Sequence, residues 1–77
     1  MKNPITVTRE KLEISRDVLA LMARVSYSTV AANEAGRFIE PSENILKVFG
    51  KLGYDPEKIR KKYAKWREEK RPAIMAR

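Results

Sequence analysis

The stretch from Ser15 to Gly36 constrains the fold more than any other part of the chain, because it holds two helix starts and two helix ends. Ser15 can cap a helix, with Asp17 in a first turn where the helix dipole favours a carboxylate. Val18, Leu19, Met22 and Ala23 recur at helical spacing, so that helix has an apolar face. Val25 and Ser26 break the pattern. Ser26 can cap the next helix, from Tyr27 to about Ala35, and Gly36 suits the left-handed position that ends it. The two helices are separated by only about three residues. Helices so short and so close cannot lie antiparallel and must cross steeply.

A steep crossing after a short turn is the helix-turn-helix geometry. It needs a small residue where the helices cross, an apolar residue in the turn and another on the inner face of the second helix. Ala20, Val25 and Val30 supply them at the required spacing. Asn3-Pro4 offers a cap and a proline at the first helical position, so a short helix runs to about Leu12, although Ile5 to Thr8 alternate β-branched residues. Arg37 to Pro41 reads as a loop. Pro41-Ser42 restarts a helix on Ile45, Leu46, Phe49 and Leu52, and Gly53 ends it. Asp55-Pro56 opens a last helix that runs to about Arg71, where Pro72 should stop it. The expectation is an all-α, compact five-helix domain with a central helix-turn-helix. Leu19, Ala20, Val25, Val30, Ile45, Leu46, Phe49 and Leu52 are expected to be buried together.

Composition narrows the function. A chain of 77 residues fits one small domain with a thin core. It has no cysteine and no histidine, which excludes disulfides, thiolate metal sites, His-dependent catalysis and an ordinary zinc site. Glu10, Glu13 and Asp17 are spaced as a helix surface rather than as an acid–base or metal cluster. The glycines stand singly, without a phosphate-cradling loop. The expectation is no enzyme, no cofactor, no metal and no small-molecule ligand. Seventeen Lys and Arg against ten Asp and Glu give a net charge of +7, which favours polyanions. Residues 1–55 carry only +1 of it and residues 56–77 carry +6. The chain thus divides into a body, residues 1–57, and a basic C-terminal helix and tail, residues 58–77, within one domain. No stretch is long and apolar enough to span a bilayer, and the first residues carry no signal-peptide pattern. A cytoplasmic location is the expectation.

From Ser15 to Gly36 the sequence SRDVLALMARVSYSTVAANEAG resembles the helix-turn-helix of the phage repressor and Cro family. Glu34 and Gly36 match that family's Glu-x-Gly ending. Pro41-Ser42, the run from Ile45 to Leu52, and Gly53-Tyr54-Asp55 match its fourth helix and the turn after it. The similarity covers about residues 9 to 59, and it implies a lambda-repressor-like fold. Three positions depart from the pattern. Arg24 stands where the family often has glycine in the turn, implying either a left-handed non-glycine residue or a different turn. Arg16 stands where glutamine is frequent. Asn33 stands where an apolar residue is usual, which should weaken the packing of the third helix.

The resemblance implies a sequence-specific, DNA-binding transcriptional regulator, a repressor in a phage or mobile element that binds a palindromic operator as a dimer. In that reading the third helix enters the major groove. Ser26, Tyr27, Ser28, Ala31 and Ala32 match the family's base-contacting positions. Ser28 can exchange hydrogen bonds with a base edge, whereas Ala31 and Ala32 can only meet thymine methyls. Thr29, Arg16 and Arg37 are placed to reach the sugar-phosphate backbone. Lys61 and Lys65 on the basic helix would add phosphate contacts. Ile59, Tyr63 and Trp66 form one stripe on that helix. Ile59 closes the core, while Tyr63, Trp66 and Ile74 are expected at the dimer interface, with packing of Tyr63 and Trp66 back on the body as the alternative. A rival reading keeps the same fold as a protein-interaction module, an antitoxin or an inhibitor of a nucleic-acid enzyme.

Overall fold

A computed structural model describes residues 1–75 of the chain, with side chains through residue 70. Among the described residues it is all-helical, with five helices. They are α1 (Pro4–Lys11), α2 (Arg16–Ala23), α3 (Tyr27–Ala35), α4 (Glu43–Lys51) and α5 (Pro56–Met75). Four of the five starts carry a local side-chain cap, and α4, whose Ser42 makes no side-chain cap bond, does not. The Asn3 side chain accepts from Ile5 N at 2.9 Å, with Pro4 in the first turn. Ser15 accepts from Val18 N and Ser26 from Thr29 N, both at 3.1 Å. Asp55 accepts from Glu57 N at 2.9 Å beside Pro56. These bonds satisfy backbone donors that a helix's first turn otherwise leaves unpaired.

α2 packs on α3 and α4, α1 packs on α5 and α3, and α4 packs on α5. The core between them holds Ile5, Leu19, Ala20, Ala23, Val30, Ile45, Leu46, Val48, Phe49, Ile59, Tyr63 and Trp66. Leu12, Ile14, Val25 and Tyr54 lean on it half-buried. Of the expected core, Val25 is only half-buried and Leu52 departs furthest, at 43% exposed. Leu52 is the C-cap of α4, with its N–H still bonded to Val48 O at 3.1 Å, so it continues the helical turn but lies at the exposed end of the stripe. Val48 fills that side of the stripe instead.

A further expectation is corrected. α5 does not stop at Arg71 but continues through Pro72 to Met75. A proline inside a helix removes one backbone donor and strains one turn without unwinding the rest. Asn33 has a role that its reading as a misfit left out. It is completely buried, and its Oδ1 accepts from Ser42 N at 2.7 Å, tying the α3–α4 loop to the helix. Its Nδ2 has no partner among the described residues.

Candidate nucleic-acid interface

Arg24, Val25 and Ser26 join α2 to α3. Arg24 takes the left-handed conformation, φ 56° and ψ 43°, which is the first of the two alternatives its identity implied. Val25 N donates to Ala20 O at 3.0 Å, closing the end of α2 in the way a glycine usually does. The small Ala20, 6% exposed, lets α3 approach this turn.

α3 has two unlike faces. Val30, Asn33 and Glu34 point inward and are buried. Tyr27, Ser28, Ala31, Ala32 and Ala35 line an open groove of about 420 Å³, together with Arg16 from the start of α2 and Arg37 just past α3. The structure therefore brings together six of the ten expected DNA-binding residues: Arg16, Tyr27, Ser28, Ala31, Ala32 and Arg37. Ser26 and Thr29 are not in the groove lining. Their hydroxyls face each other at 3.0 Å, and the Ser26 oxygen also serves the helix cap. Lys61 and Lys65 are exposed on α5 and do not line the groove either.

The groove lining combines three alanines, the hydroxyls of Tyr27 and Ser28, two guanidinium groups and the Glu34 side chain, whose carboxylate is held by Arg16 and Arg9. The Arg16 group is held in place. Its Nε lies 3.2 Å from Glu34 Oε1. A hydrogen bond with Tyr27, and then the Glu34 carboxylate, raise its pKa further above the ordinary arginine value. The Arg16 side chain is still 43% exposed, so a face of it is open to an incoming anion.

Glu34 is the centre of this arrangement, with a side chain only 2% exposed. Arg9 reaches it twice, with Nε 2.8 Å from Oε2 and Nη2 3.2 Å from Oε1. Thr6 donates to Oε1 at 2.9 Å. Burial alone pushes the Glu34 carboxyl up, but the hydrogen bonds from Arg9 and Thr6 and the charges of Arg9 and Arg16 hold it below the ordinary value. Arg9 also donates to Ile14 O at 3.0 Å, and Asn3 Nδ2 donates to Asn33 O and Glu34 O, both at 2.9 Å. α1 thereby locks both α3 and the entrance to α2.

Arg9 and Asn3 were not among the candidates read from sequence, and Glu34 was read only as part of a motif. A signal existed. Val30, Asn33 and Glu34 share one helical face, and a carboxylate beside a core valine needs a cation. Nothing local says which arginine provides it.

The expected dimer residues are elsewhere than anticipated. Tyr63 is fully buried and Trp66 is 6% exposed, both inside this chain's own core. Their rings meet at 5.8 Å. Tyr63 OH donates to Phe38 O at 2.6 Å, and neighbouring Arg67 Nε donates to Gly36 O at 3.0 Å. These two bonds tie α5 to the segment that follows α3. The side chain of Ile74 lies outside the described residues. Neither a family model, a curated protein nor a solved structure matches the chain. Among the described residues no helix is long and apolar enough to cross a membrane.

Proposed function

We propose that the chain binds double-stranded DNA through the outer face of α3 and acts as a transcriptional regulator, a repressor of the phage repressor and Cro type. One observation carries this reading: Arg16, Tyr27, Ser28, Ala31, Ala32 and Arg37 converge on a single open groove beside a three-residue turn. Small residues along α3 let the helix approach base edges closely, with methyl groups toward thymine and Ser28 toward a donor or acceptor. Arg16, already oriented by Glu34, and Arg37 at the other end suit phosphates on either side. A net charge of +7 supplies the long-range attraction. In this reading a second copy on a palindromic site meets the first through a surface other than Tyr63 and Trp66, which the monomer uses itself.

The test is selection from a random duplex library followed by titration of the enriched sequence. Specific binding should be lost in Ala31→Glu, which puts a carboxylate against phosphates and base acceptors, while the variant keeps its helical circular dichroism. Normal binding by that variant would remove α3 as the reader. Affinity should fall with salt at a log–log slope of about −0.9 per phosphate contacted. Charge reversal at Lys61 and Lys65 then decides whether α5 contributes: a shallower slope counts them in, an unchanged slope counts them out.

A further inference from the structure

A second surface carries chemistry that DNA binding does not use. Val18, Leu21 and Met22 stand at i, i+3 and i+4 on α2, facing away from the buried Leu19, Ala20 and Ala23. Leu21 is 81% exposed, and Val18 and Met22 are 43% and 44% exposed. Single exposed apolar side chains are ordinary, but a contiguous helical stripe of them marks a place where something docks.

The stripe does not end at the helix. Met22 also lines a groove of about 310 Å³ between the end of α2 and α4, with Ala23 and Val48 beside it. Arg24, Lys47 and Lys51 rim that groove, and no carboxylate lines it. An apolar strip therefore runs into a cleft whose charged groups are all cations, with Asn44 as its one neutral polar side chain. This combination selects its occupant. A second copy meeting this one through the same patch would bring its own Arg24, Lys47 and Lys51 against these three cations, and like charges repel. A sugar-phosphate backbone would satisfy the cations but leave Val18, Leu21 and Met22 facing polar surface, since DNA interfaces are polar and wet. A segment with both apolar anchors and carboxylates satisfies both parts, in the way a helix lies in a groove.

We propose that the outer face of α2 and the α2–α4 groove dock an acidic amphipathic helix of a partner protein. Its apolar side chains cover Val18, Leu21 and Met22, and its carboxylates meet Arg24, Lys47 and Lys51. The site is separate from the α3 groove and does not depend on the DNA-binding reading.

The experiment is selection of a displayed library of helical peptides on the full chain, followed by NMR titration of the enriched peptide. Enriched peptides should combine apolar residues at i, i+3 and i+4 with flanking Asp or Glu. They should shift the backbone amides of residues 18–22 and 47–51. Leu21→Ser should weaken binding by about tenfold or more, as loss of a central anchor does. Lys47→Glu with Lys51→Glu should weaken it too, with the largest effect at low salt. Both variants alter exposed side chains, and unchanged circular dichroism verifies their fold. Absence of enrichment, enriched peptides without the acidic–apolar pattern, or full affinity in Leu21→Ser would each overturn the proposal. So would duplex DNA shifting these same amides as strongly as the peptide, which would assign the surface to nucleic acid.

Discussion

α3 and α4 have the same length, nine residues, yet they are held in the molecule by opposite means. α4 is held by apolar burial. Ile45, Leu46, Val48 and Phe49 form one stripe, and all four are buried. α3 has only Val30 as a buried apolar side chain. The rest of its attachment is polar: Asn3 to its last carbonyls, Thr6 and Arg9 to Glu34, Asn33 to Ser42, and Arg67 to Gly36 O. Directional bonds set the orientation of a helix more narrowly than apolar contact does, because they tolerate little rotation. A helix tied this way on one face can carry alanine, serine and tyrosine on the other. That is the arrangement a reading helix needs.

The comparison can be broken from either side. The largest losses should come from Phe49→Ala, at about 3–5 kcal/mol, and then from Glu34→Ala, at about 2–4 kcal/mol, because the half-buried Arg9 loses its partner but keeps Ile14 O. Against a total stability on the order of 4–12 kcal/mol for a chain this size, either variant should be marginal. Urea unfolding measures both. Arg16, being 43% exposed on its side chain, adds little to the Glu34 loss.

Acid separates the two helices more sharply than mutation. The folded Glu34 carboxyl titrates below its ordinary value of 4.5. The folded state therefore binds fewer protons than the unfolded chain near that pH. The stability due to Glu34 is complete above 4.5 and declines as pH falls through the lower folded value. The Glu34→Ala deficit should shrink as the pH falls below 4.5, while the Phe49→Ala deficit stays the same. Equal pH profiles for the two variants would show that α3 is not held by its carboxylate.

Smaller effects test the finer points. Ala20→Leu should overpack the place where α2 meets α3 and cost about 1–3 kcal/mol. Asn33→Ala should leave the Ser42 N–H unpaired, at a cost of about 1–3 kcal/mol. Its signature should be faster amide exchange at Ser42, with the amides of α4 little changed. An unchanged Ser42 amide would mean the loop is held by Tyr63 and Arg67 rather than by Asn33.

Local chemistry explains how much of this was legible. Ser15, Ser26, Asp55-Pro56 and Gly36 act within one turn of their own position, so the helix starts and the end of α3 could be read without a tertiary structure. Position along the chain also identified the outer residues of α3 as a group, since helical periodicity fixes which side chains share a face. Leu52 failed because periodicity shows which residues share a helical face but not whether a neighbouring element covers the end of that face.

The amino-acid sequence by itself determined the existence of five helices (though not where α5 ends), the short α2–α3 turn and the shared face of Tyr27, Ser28, Ala31 and Ala32, because these depend mainly on neighbours a few residues away. Only the tertiary structure decided that Arg9, 25 residues from Glu34, neutralises it. It alone decided that Asn33 serves the loop, and that Tyr63 and Trp66 complete this chain's core rather than facing a second copy. Those outcomes depend on which elements meet in space. A buried carboxylate or an apolar stripe states that it needs a partner, and packing chooses which one.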